Sequence, residues 1–409
     1  MPYDPLVDQA LQPLAPDLHS ASAVAILGII ALAVAMGIGR FAFTPLLPLM
    51  LRDGTIDAGT GAEWAAANYC GYLIGALTAS RLSRHLRHHL GVALFGVALS
   101  TLLVAFIQAA WLGAALRFAA GAFSAWVLVL ASSWCLAALA RRQASHIGAW
   151  IYTGVGIGIA LAGMLAWLGG HQPARLLWLE LGLLAGIGAV YVVITMPASS
   201  NLLSSAATTR ASMGTPRDHF SLVICYGAFG FGYIVPATFL PQMAHEQVAD
   251  PLVFGLTWPL FGLAAALSVA ISARLLSAVP RRRAWAAAQA TMAIGTGLPV
   301  VTHSLWSLVI AAILVGGTFM VATMAGLQLA LELVPHHPTP LVARMTAAFA
   351  VGQIAGPVLV HLLAIKRVAG LDGTALASAA ATVLLIVTAI WIWLGVDHDS
   401  SSPSVADPQ

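Results

Sequence analysis

The sequence predicts an all-α membrane protein, with twelve transmembrane helices in two six-helix bundles and both termini cytoplasmic. Three observations predict this. Only 8% of the 409 residues are charged and 60% are hydrophobic, against roughly a quarter charged in soluble domains. The apolar residues gather into twelve runs near the roughly 20 residues that cross a bilayer as a helix. Inside the runs they are continuous and rich in Ala, Leu and Gly, without the strict alternation of a lipid-embedded barrel.

In chain order, residues 1–20 form a Pro-rich tail with Asp4, Asp8 and Asp17. With no Lys or Arg before the first run, it reads as a mobile tail and not a secretory signal. The spans run over 22–50, 62–80, 90–109, 111–140, 147–168 and 174–196, then 218–243, 252–279, 284–302, 304–333, 342–365 and 374–396. Between the groups lies 197–217, a Ser/Thr-rich central cytoplasmic linker. This divides the chain into bundles at 21–196 and 218–396, with a polar tail at 397–409. Orientation follows from loop arginines. Arg81, Arg84, Arg87, Arg141, Arg142, Arg210, Arg217, Arg274, Arg281, Arg282, Arg283 and Arg344 fall on one side, which is therefore cytoplasmic. Arg52, Arg175, Lys366 and Arg367 fall on the other.

The net charge of +3 comes from these short loops and does not imply a nucleic-acid partner. Cys70, Cys135 and Cys225 lie in apolar runs without metal-ligand spacing. No G-x-S-x-G, H-E-x-x-H or Walker-type motif occurs, so no catalytic residue, metal or cofactor is expected and the chain does not read as an enzyme.

The halves share a pattern. A shift of 193 lays Gly37, Gly39, Pro48 and Met50 over Gly230, Gly232, Pro241 and Met243, with Arg40 on Tyr233. A shift of 198 lays Gly154 and Gly158 over Gly352 and Gly356. Three such matches in consistent order, counting Arg81 and Leu82 over Arg274 and Leu275, point to duplication.

The six-plus-six plan resembles the major facilitator superfamily. Arg117, Gly121 and Ala125 in span 4 are similar to its R-x-x-Q-G-x-x-x-A signature, with Ala120 in place of Gln. ALTASRLSRH after span 2 resembles its G-x-x-x-D-R-x-G-R-R loop: Arg81 and Arg84 remain, but Ser80 replaces the acid. Gly352, Gly356 and Pro357 resemble the G-x-x-x-G-P element of antiporters, though span 5 has Ile159 where that element has Pro. GIGRFAFTPLLPLM at the end of span 1 resembles the YbfB/YjiJ-like bacterial branch. The resemblance implies the major facilitator fold in the bacterial inner membrane and secondary active transport by alternating access, with protons as the usual coupling ion. It also implies that spans 1, 4, 7 and 10 line a central cavity, and that spans 5 and 11 pack on spans 8 and 2 between the halves.

Arg40 is the residue that most needs explaining. It lies about ten residues inside span 1, about 15 Å deep in a roughly 30 Å core, where a charge costs several kcal/mol unless it meets a polar cavity or a partner. It reads either as an anion-binding residue or as a structural arginine holding carbonyls freed near Pro45. Thr44 shares its face. Arg117 sits nearer an end of span 4 and could snorkel; the resemblance implies a role in proton coupling. Tyr226, Tyr233 and Gln353 complete the expected substrate-binding set. Gly37, Gly39, Gly154, Gly158, Gly352, Gly356 and Pro357 are the expected packing or gating positions. Glu63, Glu180, Glu246, Glu332 and Asp218 read as interfacial. His361 is the histidine best placed for proton linkage.

Two arginines without an acidic partner imply that the substrate carries the negative charge, so a small organic anion is expected. A multidrug or metabolite efflux antiporter of the same fold is the second reading; a membrane sensor or an intramembrane enzyme is the third. The expected partners are the substrate, protons and the lipid bilayer, with the chain a monomer.

Overall fold

The computed structural model describes residues 20–107, 109–197, 216–247, 255–275, 279–302, 304–334, 339–363 and 373–395. Twelve helical rods account for nearly all of them. They are α1 (Ala21–Arg52), α2 (Ala58–Thr78), α3 (Leu86–Leu103), α4 (Ala110–Arg141), α5 (Thr153–Leu168) and α6 (Ala174–Thr195). Then come α7 (Pro216–Gln247), α8 (Thr257–Leu275), α9 (Arg281–Val301), α10 (Leu305–Leu333), α11 (Thr339–Leu363) and α12 (Gly373–Leu394). A 3-10 stretch, Ala79–His85, follows α2, and another, Ser145–Tyr152, leads into α5.

Among the described residues, nine helices are long and apolar enough to cross a membrane. The exceptions are α2, α8 and α9. Among the described residues the apolar stretch of α8 is Thr257–Ser272. Polar residues explain the other two: Glu63 and Asn68 lie in α2, and α9 begins with Arg281–Arg283 and carries Gln289. The proposed linker 197–217 lies outside the described residues except for its ends, where α7 already begins at Pro216. The tails lie outside them too, apart from Ser20.

Local chemistry sets several helix starts. The Ser20 hydroxyl accepts from Ala23 N–H at 3.2 Å, and the Asp57 carboxylate accepts from Thr60 N–H at 2.7 Å. The start of α6 is capped from a distance: Asp53 accepts from Ala174 N–H at 2.6 Å while pairing with Arg52 at 2.8 Å. Partial burial pushes the Asp53 carboxyl up, but the Ala174 N–H and the Arg52 guanidinium outweigh it and hold it below the ordinary carboxylate value.

The same packing pairs occur twice. In the first six helices α1 packs on α5, α2 on α4 and α3 on α6; in the last six α7 packs on α11, α8 on α10 and α9 on α12. Between the sets, α5 meets α8 and α2 meets α11. Close approach depends on missing side chains. A Cβ on Gly158 would strike Ala33 O and Gly37 of α1, and one on Gly154 would strike Ile29 O. In the second set a Cβ on Gly352 would strike Gly227 O of α7, and one on Gly356 would strike Ile234. These glycines lie against the first helix of their own half, and Gly156 is the α5 residue that meets the α8 backbone at Ala266. The reason is the 3.6-residue turn: Gly154 and Gly158 share one face, and Gly156 lies on the opposite one.

Candidate functional site

The site begins with a defect in α1. Ala21–Leu32 is regular, but Ala33–Ile38 is π-helical: Gly39 N–H reaches Val34 O at 2.9 Å and Phe41 N–H reaches Met36 O at 3.1 Å. Residues 39–42 form a turn, and the regular helix resumes at Phe43. Pro45 has no N–H to offer Phe41 O, and the Thr44 N–H takes that carbonyl at 3.3 Å instead of Arg40 O. Gly39 supplies room, since a Cβ there would meet Val97, Ala35 O and the Ser124 hydroxyl.

Arg117 closes this break. It is 1% exposed. Its Nη1 donates to Gly39 O at 3.0 Å and its Nη2 to Arg40 O at 3.1 Å, with the guanidinium 5.0 Å from the Phe43 ring centroid. It does not snorkel. The carbonyl-bonding role weighed for Arg40 is therefore filled by Arg117. The rest of its motif fixes α4 to α2: Gly121 abuts Asn68 O, and Ala125 packs against Gly75. Asn68 Nδ2 also donates to Arg117 O at 2.9 Å.

Arg40 is thereby free to point between the two sets of helices. It is 3% exposed, with its guanidinium 3.9 Å from the Tyr72 ring centroid and 5.6 Å from that of Tyr69. Its Nη2 donates to Gln353 Oε1 of α11. Its Nε and Nη1 have no hydrogen-bond partner, nor do Gln353 Nε2 and the Tyr233 hydroxyl. Among the described residues no carboxylate pairs with Arg40. Glu63 and Glu180 are exposed, and Glu332 pairs with Arg281 at 3.5 Å. The side chains of Glu246, Asp218 and His361 lie outside the described residues.

A cavity of about 20 Å³ adjoins Arg40, lined also by Thr44, Tyr69, Arg117, Tyr233 and Thr238. That is room for about one water. Tyr233 is stacked between Phe319 (5.2 Å) and Phe349 (5.6 Å), while Phe41 meets Tyr233 and Phe319 edge-on at 6.4 and 6.1 Å. These rings join α1 to α7 and α10 across the divide.

The structure thus brings Arg40, Thr44, Arg117, Tyr233 and Gln353 together. Tyr226 is not among the cavity's lining residues. It packs among Phe229, Trp285 and Phe349, with Gly326 against its ring. Sequence reasoning missed Asn68, Tyr69 and Tyr72. Their signal was available: a polar and aromatic set at i, i+1 and i+4 in one of the least apolar helices. Of the loop arginines, Arg81 is exposed, and the side chain of Arg84 lies outside the described residues.

The profile of the family described as "Uncharacterised MFS-type transporter YbfB" matches residues 32–392. No curated protein matches the sequence. Among solved structures, the human organic anion transporter MFSD10 (TETRAN) is similar at a TM-score of 0.69 and 16% identity, over 90% of this chain and 98% of that one. A point mutant of the nucleoside transporter NupG is similar at 0.66 and 12% identity, over 90% of this chain and 99% of that one. At these identities the likeness shows the fold alone.

Proposed function

The chain belongs to the family of the uncharacterised MFS-type transporter YbfB, and on that premise we propose that it moves a small organic anion by alternating access. The single observation that carries this reading is the state of Arg40. A buried guanidinium with two unpartnered nitrogens beside a cavity, and no carboxylate among its described neighbours, leaves a charge to be balanced. A carboxylate or similar group on the solute balances it and takes the waiting donors, joined by Gln353 Nε2 and the Tyr233 hydroxyl. A cationic solute meets repulsion from Arg40 and Arg117.

The cavity is too small for a solute, so entry requires the halves to part. In this reading the twelve helices cross the bacterial cytoplasmic membrane as two bundles, joined by a cytoplasmic linker, with the Arg-rich loops and both termini inside. One monomer suffices. Tyr72 and Tyr69 hold Arg40 from α2, and Arg117 holds the break that aims it. Thr44 offers a further hydroxyl. Proton linkage is carried over from the family resemblance. The organic-anion neighbour supports the fold and adds nothing about the solute.

Counterflow in proteoliposomes tests the proposal, with a panel of carboxylates and lipophilic cations on wild type and Arg40→Gln. The expected result is carboxylate exchange in wild type and none in the variant; an imposed pH gradient then tests proton drive. Cations moved while carboxylates are ignored would overturn the reading and favour drug efflux.

A further inference from the structure

A second cavity shares no lining residue with the Arg40 site. It is an open groove of about 1180 Å³ on the outer face of the first six helices, walled by α3, α4 and α6. Its length is apolar: Val92, Phe95 and Leu99 of α3 and Leu183 of α6 line it and are exposed. Four glycines line it, Gly91 and Gly96 of α3 and Gly182 and Gly186 of α6; the first three pack on Val193, Phe123 and Leu102, and Gly186 borders open space. A Cβ on Gly186 would meet no atom within 4 Å.

One end of the groove is different. His85, Arg87 and His88 line it there, at the Arg-rich end of the bundle. Arg87 Nη2 donates to Val193 O of α6 at 3.1 Å, which holds the guanidinium at the mouth. From Arg87 to Leu99 the helix rises about 18 Å, which covers one leaflet of a roughly 30 Å hydrocarbon core. An apolar channel one leaflet deep, closed by a cationic mouth, matches an acyl chain below an anionic headgroup.

We propose that this groove is a binding site for an anionic phospholipid, with an acyl chain along Val92–Leu99 and the phosphate at Arg87 beside His85 and His88. A zwitterionic lipid fills the channel equally well but sets a quaternary ammonium near Arg87, so selectivity resides in the headgroup. One basic side chain at a lipid surface is worth about a fivefold preference.

Native mass spectrometry of the full chain tests this, with phosphatidylglycerol and phosphatidylcholine of identical acyl chains offered in equal amounts. The expected result is at least about fivefold greater retention of phosphatidylglycerol. Arg87→Gln lowers that ratio towards one. Because Arg87 also ties α3 to α6, His88→Gln is measured beside it and lowers the ratio without removing the Val193 bond. Gly186→Trp fills the groove from open space and removes the retained lipid while leaving anion exchange intact. Equal retention of the two lipids overturns the proposal. So does unchanged retention in Gly186→Trp, or self-association of the chain that Gly186→Trp abolishes, which would make the groove a protein interface.

Discussion

Arg40 and Arg117 are both buried in the membrane region, yet the structure predicts opposite consequences for removing them. Arg117→Gln takes a charged donor from two buried carbonyls, Gly39 O and Arg40 O. A buried polar group left unsatisfied costs about 1–3 kcal/mol, so the pair amounts to about 2–6 kcal/mol. Arg40→Gln removes a buried charge that spends one nitrogen on Gln353 and leaves two without partners. Replacing it with a neutral amide removes the desolvation cost of a buried charge, which offsets the lost Tyr72 contact and Gln353 bond. Thermal unfolding of both variants in one detergent reads the contrast. Arg117→Gln is expected to melt several degrees below wild type, and Arg40→Gln at or above it. Binding is expected to separate the two differently, because Arg40→Gln loses the donors themselves. If Arg40→Gln melts as far below wild type as Arg117→Gln, Arg40 is structural and the reasoning fails.

Three further outcomes follow. Gly158→Val forces a side chain into Ala33 O and Gly37, at a cost of about 1–3 kcal/mol or more; unchanged melting would remove α1–α5 contact as the reason for that glycine. The Trp150 ring lies 5.4 Å from the Arg274 guanidinium across the two halves, a contact worth about 0.5–1 kcal/mol. In a Cys70→Ser background, Trp150→Ala is expected to speed thiol labelling of Thr44→Cys by about two- to fivefold, and unchanged labelling would separate that contact from opening. Asp53 has its folded value held below the ordinary one of about 3.9, so its contribution is present above that pH and lost as pH falls through the folded value. Asp53→Asn is expected to flatten melting temperature against pH in that acidic window, and an unaltered slope would assign the dependence elsewhere.

The sequence located the helices because burial in lipid imposes a length and a composition that no other constraint imitates. It also singled out Arg40, since a charge inside a long apolar run stands out against its neighbours. It could not show which arginine holds the broken helix. That depends on Arg117 reaching back across 78 residues to Gly39, and on an α4 register set by Gly121 against Asn68. The Gln353 bond joins residues 313 apart. Tyr226 and Tyr233 are seven residues apart and read as one face, but only Tyr233 lines the cavity, because α7 faces α11 and α9 at the level of Tyr226. Asn68, Tyr69 and Tyr72 escape a reading based on the length of apolar runs, because their face of α2 becomes part of the site only once α2 packs on α4 and α11.

The most direct test of Arg40 as the solute's counter-charge is a ligand-induced thermal shift of purified wild type and Arg40→Gln, with small carboxylates, phosphate esters and lipophilic cations. Binding to the folded state raises the melting temperature by mass action. The account predicts a rise in wild type with one class of organic anion, and no rise with that ligand in Arg40→Gln. A rise produced by a cation and retained in Arg40→Gln would contradict it.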